Sequence, residues 1–239
     1  MADHTLRFYG DELTQLKAEV VRMGGLAESQ VAEAVRAVAT GDRVLAAAVV
    51  GRDEQLDLLQ HEIERQAIRT IALRQPVAND LRRTVGALKL SLALERAGDY
   101  AKNIAKRALV IAEAEPVSPL TRSIERMGEL VLARFKQALD AYSAGDVEAA
   151  MTVWARDEDV DEHYDSLFRE LLTHMMSDPR TITAGAHLLF VAKNLERIGD
   201  YATTVAEIVR YEIRGEEPTD PRPKLSGMPS APPPGGEPA

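Results

Sequence analysis

The chain has 239 residues, 45% hydrophobic and only 5% aromatic, with no cysteine and a formal net charge of −9. The missing thiols exclude disulfides, zinc-thiolate sites and thiol catalysis, and the negative charge argues against electrostatic binding of nucleic acid. Residues 1–9 lack the basic-then-apolar pattern of a signal peptide and no apolar run approaches the ~20 residues of a membrane span, so a cytoplasmic protein is expected.

The abundance of Ala, Glu, Leu, Arg and Val suits long packed helices. From Thr5 to Thr40, apolar residues such as Leu13, Leu16, Val20, Met23, Val31, Val35 and Val38 recur at three- and four-residue spacings, which predicts an amphipathic helix loosened at Gly24-Gly25. Gly41-Asp42 closes it and caps a second helix, Arg43 to about Arg74, whose stripe holds Leu45, Val49, Leu56, Leu59 and Ile63. Gln75-Pro76 forces a turn into a third helix, Val77 to about Glu113, which ends before Pro116. A fourth helix is predicted from Pro119 to Ser143, after which Ala144-Gly145-Asp146 repeats the earlier punctuation. The fifth runs from Val147 to Ser177, Asp178-Pro179 breaks the chain, and the sixth spans about Thr181 to Arg214. Residues 215–239, rich in Pro, Gly, Ser and Glu and without periodicity, predict a disordered tail.

The octapeptide Leu94-Glu95-Arg96-Ala97-Gly98-Asp99-Tyr100-Ala101 recurs as Leu195-Glu196-Arg197-Ile198-Gly199-Asp200-Tyr201-Ala202 with one substitution. Arg52-Asp53-Glu54-Gln55-Leu56-Asp57 likewise matches Arg156-Asp157-Glu158-Asp159-Val160-Asp161, and Met23-Gly24 matches Met127-Gly128. The chain is therefore read as a duplication: an all-α fold of six long helices forming two three-helix bundles, residues 1–115 and 116–214, each with its own core and related by a pseudo-twofold.

Each repeat carries two acidic pairs at four-residue spacing, so each pair shares a helix face. Asp53/Asp57 and Glu95/Asp99 lie about equally far from the turn at Pro76, and Asp157/Asp161 and Glu196/Asp200 about equally far from Pro179. The members of each set should therefore meet at one height on adjacent antiparallel helices. On the sixth helix Leu188, Val191, Leu195, Ile198, Ala202, Val205 and Val209 form the core stripe with Glu196/Asp200 roughly opposite, which puts the carboxylates on the bundle surface. Four carboxylates at one level repel one another unless something cationic lies between them. Two readings stay open, a solvated acidic face and a metal-binding surface; matched pairs in both repeats favour the second. An all-oxygen set admits divalent or trivalent ions, with Mg²⁺, Mn²⁺, Ca²⁺ or iron ahead of zinc.

Arg96 and Arg197 either bridge carboxylates or form surface ion pairs, Tyr100 and Tyr201 suit flank packing, and Gly98 and Gly199 read either as points of close approach by a neighbouring backbone or ligand or as plain packing positions. His61 and His163 are not at equivalent repeat positions and read as surface residues. No Glu-x-x-His ligand pattern, Walker loop, Gly-x-Ser-x-Gly elbow or His-Glu-x-x-His is present, so an enzyme reading lacks its nucleophile and base.

The doubled Leu-Glu-Arg-x-Gly-Asp, Val21-Arg22-Met23-Gly24-Gly25, Arg74-Gln75-Pro76 followed by Asp80-Leu81-Arg82, and His174-Met175-Met176-Ser177-Asp178-Pro179-Arg180-Thr181-Ile182 resemble the PhoU family of phosphate-transport accessory regulators, from about Phe8 to Gly215. The resemblance implies surface metal clusters held by Asp53, Asp57, Glu95 and Asp99 in the first bundle and Asp157, Asp161, Glu196 and Asp200 in the second. It also implies a cytoplasmic, homodimeric, non-enzymatic negative regulator of the phosphate-starvation response. Such a protein links the ATPase subunit of the phosphate-specific ABC transporter to a sensor histidine kinase, and reaches the membrane only through partners. A carboxylate-metal enzyme, phosphatase or oxidase, and a metal-free helical scaffold are the competing functions.

Overall fold

Helix-compatible composition and the two Gly-Asp punctuation points translate directly into backbone. The computed structural model describes residues 2–114 and 119–216, with side chains from 10–113 and 120–216. The helices are α1 (Ala2–Thr40), α2 (Arg43–Gly51), α3 (Asp53–Arg74), α4 (Ala78–Ala114), α5 (Pro119–Ala144), α6 (Val147–Trp154), α7 (Glu158–Ser177) and α8 (Ile182–Arg214), with a 3₁₀ turn at Pro179–Thr181. No strand occurs among the described residues. The expected tail beyond Glu216 lies outside the described residues.

Gly41 and Gly145 take the left-handed backbone at φ 68° and 69°, and the following Asp42 and Asp146 accept the amides of Leu45 at 2.9 Å and Ala149 at 3.0 Å. These are matched helix-start caps in the two repeats. Gln75 is left-handed at φ 49° and its amide returns to Ile71 O at 3.1 Å, which ends α3 ahead of Pro76. Asp178 caps the 3₁₀ turn by accepting the Arg180 amide at 3.1 Å.

Two expectations about the helices need correction. The second and fifth predicted helices are each broken in two. Arg52 N–H turns back to Val49 O and Arg156 N–H to Val153 O, both at 3.2 Å, an i to i−3 tightening that interrupts the α ladder. Hydrophobic periodicity continues across both breaks, which is why the pattern alone reads as one helix. The second correction concerns α1, which runs without interruption through Gly24-Gly25. A Cβ at Gly24 would stand 2.8 Å from Leu139 Cδ2 of α5, and one at its repeat mate Gly128 2.5 Å from Val35 Cγ1 of α1. These glycines are contact points between helices, and Val35 and Leu139 are themselves 104 residues apart, as are the glycines.

That contact joins the bundles. Val20, Met23, Val31, Ile63, Leu90 and Leu94 of the first repeat and Ile124, Val131, Phe135, Leu188, Leu195 and Ile198 of the second belong to one continuous buried cluster, in place of the two separate cores expected. The reason is that α4 packs extensively on both α1 and α8, so each motif helix has a core stripe and a second, inter-bundle side.

Candidate metal centres

The carboxylate-bearing elements meet because small residues let them. Leu56 of α3 occupies the space a Cβ on Gly98 would need, and Val160 of α7 lies 3.1 Å from the equivalent point on Gly199. Leu56 and Val160 are repeat mates, as are the two glycines. The close seat brings the helix bearing Asp53 and Asp57 onto the motif of α4, and the helix bearing Asp161 onto that of α8.

In the first bundle Asp53 opens α3, just after the break, and is buried at 8% exposure. A carboxylate in the first turn of a helix is favoured by the free amides and dipole there. The Lys102 ammonium ion-pairs with Asp53 and stands 3.7 Å from Asp99 Oδ1. Its own pKa is raised, chiefly by the hydrogen bond to Asp53 and further by the charges of Asp53, Asp99 and Asp57. Desolvation, then the charges of Asp53 and Asp99, raise the pKa of Asp57. Glu95 is raised by desolvation and by Asp99 and Asp57. All four predicted residues of this set therefore act on one another. Arg96 lies 3.6 Å from both Glu95 Oε2 and Asp99 Oδ2, so it bridges the two carboxylates of its own helix.

The second bundle repeats the frame with different chemistry. Asp157 sits at the turn before α7, is 7% exposed, and accepts a hydrogen bond from Thr203 Oγ1 at 2.7 Å. Thr203 is the repeat mate of Lys102, 101 residues on, so a neutral hydroxyl stands where the first bundle has an ammonium. Asp161 is pushed up to about 6 by desolvation and by the charges of Asp157 and Glu196. Glu196 pairs with Lys193 at 2.7 Å. Asp200 is exposed and its charge acts on Arg197. Arg197 does not bridge carboxylates: it donates to Tyr100 Oη at 3.3 Å, and Tyr100 and Tyr201 pack across the α4–α8 seam with ring centroids 6.0 Å apart.

Exposed Asp200 apart, the carboxylates do not lie on open surface as the helical wheel suggested: Asp53 and Asp157 are buried, and Asp57, Glu95, Asp99, Asp161 and Glu196 are half-buried in the clefts where α3 meets α4 and α7 meets α8. His61 and His163 are exposed, as expected. Sequence reasoning passed over Lys102 and Thr203, although each lies three residues past the motif Asp and seven past the Glu, on the same helix face.

Among the described residues no three His, Cys, Asp or Glu side chains converge closely enough to hold an ion as they stand. The donor chemistry nonetheless fits one: hard oxygens, the pKa values of Asp57, Glu95 and Asp161 raised by desolvation and by neighbouring carboxylates, and in the first cleft a lysine cation already drawn among three carboxylates.

Fold and clefts together define a class: a duplicated three-helix bundle in which paired carboxylates line one cleft per repeat. The chain belongs to the PhoU family, whose domain model matches residues 20–108 and 124–209. It is 64% identical over 225 residues to the phosphate-specific transport system accessory protein PhoU homolog of Caulobacter vibrioides, covering 94% of this chain and 98% of the relative. The homolog of the same name in Rhizobium meliloti is 46% identical over 221 residues, covering 92% and 93%. The crystal structure of PhoU from Pseudomonas aeruginosa superposes with a TM-score of 0.84 at 36% identity, covering 87% of this chain and all of that one. The phosphate transport system regulatory protein PhoU of Streptococcus pneumoniae gives 0.80 at 28%, covering 87% and 98%.

Proposed function

We propose that this protein is a cytoplasmic accessory of a phosphate-specific transport system that acts as a negative regulator of the phosphate-starvation response. The observation that carries the reading is family membership across both repeats, together with relatives named as accessory proteins of that system over nearly their whole length. No helix among the described residues is long and apolar enough to cross a membrane, which suits a protein that meets the membrane through partners. Those partners are the ATPase subunit of the phosphate ABC transporter and a sensor histidine kinase, and the working unit is a homodimer. The role is adaptor, not enzyme; the relatives are named accessory proteins.

In this reading Asp53, Asp57, Glu95 and Asp99, and Asp157, Asp161, Glu196 and Asp200, hold divalent or trivalent metal ions, with iron, manganese and magnesium ahead of zinc. A bound ion supplies positive charge that relieves the repulsion among the carboxylates and stiffens the α3–α4 and α7–α8 contacts. Lys102 and Lys193 hold that counter-charge otherwise, so each must swing aside for an ion to enter. Arg96 remains on the outer oxygens of Glu95 and Asp99 and orients them.

A strain lacking the gene, grown in high phosphate and assayed for phosphate-responsive transcription, tests the regulatory reading. Derepression is expected; repression at the level of the parent strain would count decisively against it.

A further inference from the structure

Away from the carboxylate clefts, a cavity of about 810 Å³ lies where α1 and α4 of the first bundle meet α5 and α8 of the second. Much of its lining is apolar, Thr14 adds a hydroxyl, and its titratable groups come from all four helices: Lys17, Asp80 and Arg83, Tyr142, and Glu212. Arg83 is exposed and forms no ion pair among the described residues. Lys17 spends one N–H on Ser143 O at 2.8 Å and lies 5.7 Å from the centre of the Tyr142 ring, which leaves it two further protons to donate. The Glu212 carboxyl is seated over Gly86, in space that a Cβ there would take, and its buried Oε1 has no hydrogen-bond partner among the described residues.

Burial outweighs the nearby charges of Lys17 and Arg83 and pushes Glu212 up to about 8, so at neutral pH this carboxyl is chiefly a hydroxyl donor. Two cations, a phenol and a protonated carboxyl therefore face a single carboxylate, Asp80. The set has an excess of donors and of positive charge, which is the complement of a small oxyanion. Two cations also rule against a metal ion as the occupant. Asp80 adds a selection: it accepts a hydrogen bond from an oxyanion that still carries a proton, as HPO₄²⁻ does, and repels one that carries none, as sulfate.

We propose that this inter-bundle cavity is a binding site for orthophosphate, with Lys17 and Arg83 countering its charge, Tyr142 and Glu212 donating to it, and Asp80 accepting its remaining proton. The choice of phosphate among protonated oxyanions rests on the regulatory reading above; the excess of donors does not. Because the site draws on both repeats, an ion bound there ties α1 and α4 to α5 and α8.

Equilibrium dialysis of the full chain against labelled inorganic phosphate, in buffer containing a chelator so that the carboxylate clefts are metal-free, tests the site. Saturable binding of one phosphate per chain is expected, resistant to an equal concentration of sulfate. Arg83→Gln and Lys17→Gln should each weaken it by ~10-fold or more, while Arg122→Gln, at an exposed arginine outside the cavity and the carboxylate sets, leaves it unchanged. Glu212→Gln keeps a donor and should hold phosphate at pH 9, where the unmodified chain, with Glu212 ionised between Lys17, Arg83, Asp80 and Tyr142, holds it less well. No saturable binding, equal competition by sulfate, or indifference to both the Arg83 and Lys17 substitutions each overturns the proposal. Arg83 is exposed, so its variant tests binding without threatening the fold, and circular dichroism verifies that. Lost binding in a protein whose deletion still derepresses transcription sinks the cavity alone; intact binding with unaltered repression sinks the regulatory reading alone.

Discussion

Leu56 fills the space that a side chain on Gly98 would need, and this one seat sets the spacing of α3 on α4 beside the first carboxylate cleft. The same relation holds between Val160 and Gly199, but more loosely, at 3.1 Å from the absent Cβ. The two repeats therefore differ in how much they tolerate. Gly98→Ala forces Leu56 aside and should cost about 1–3 kcal/mol by overpacking, partly offset by about 1 kcal/mol of better helix propensity. Gly199→Ala needs only a few tenths of an ångström of movement and should be near neutral. Thermal unfolding of the two variants checks the order, and equal losses would contradict it. Leu56→Val in the Gly98→Ala background should recover part of the loss, since it removes the atoms that clash.

Lys102 is the counter-charge of the buried Asp53. Removing it with Lys102→Met leaves a carboxylate of 8% exposure without its cation, at a cost of about 3–5 kcal/mol in metal-free buffer. Added Mn²⁺ should restore much of that loss, because the first cleft is then open to an ion. The converse variant, Thr203→Lys, should lower metal uptake by the second cleft. Chemical denaturation with and without Mn²⁺, alongside metal analysis, measures both; a Lys102→Met protein that Mn²⁺ does not stabilise speaks against the metal assignment.

Glu212 makes stability fall as pH rises. Its pKa lies near 8 in the folded chain against an ordinary 4.5, so the folded state binds more protons than the unfolded one between those values, and unfolding becomes easier through that window. Below about pH 4.5 the effect is absent, and above about 8 it is complete. Glu212→Gln removes the ionisation and should be more stable than the parent at pH 9 by about 2–4 kcal/mol, with a much smaller difference at pH 5. Denaturation midpoints at the two values provide the comparison.

Asp42 and Asp146 cap the short helices α2 and α6 through matched side-chain bonds. Asp42→Ala and Asp146→Ala should each cost about 1 kcal/mol, and the two losses should add because the caps lie in different repeats. Hydrogen exchange at Leu45 and Ala149, the amides released, identifies the site of the change.

Much of this molecule is readable from its residue pattern alone. Helix periodicity, the paired Gly-Asp stops, the turns at Gln75-Pro76 and Asp178-Pro179, and the internal repeat determined a duplicated helical bundle, because each is a local signal acting within a few residues of itself. Matching distances from each turn also put the acidic pairs of neighbouring helices at one height. Tertiary packing decided the rest. The breaks at Arg52 and Arg156 interrupt hydrogen bonding without interrupting the apolar stripe, so periodicity passes over them. How far the carboxylates face water depended on which helices cover α4 and α8: α3 and α7 bury Asp53 and Asp157 and half-cover five others, while Asp200 stays exposed. The joining of two cores through Gly24 and Gly128, and the exchange of Lys102 for Thr203 against a buried aspartate, are relations between residues far apart in the chain. A linear pattern records which residues share a face, but only the packed helices settle what that face meets.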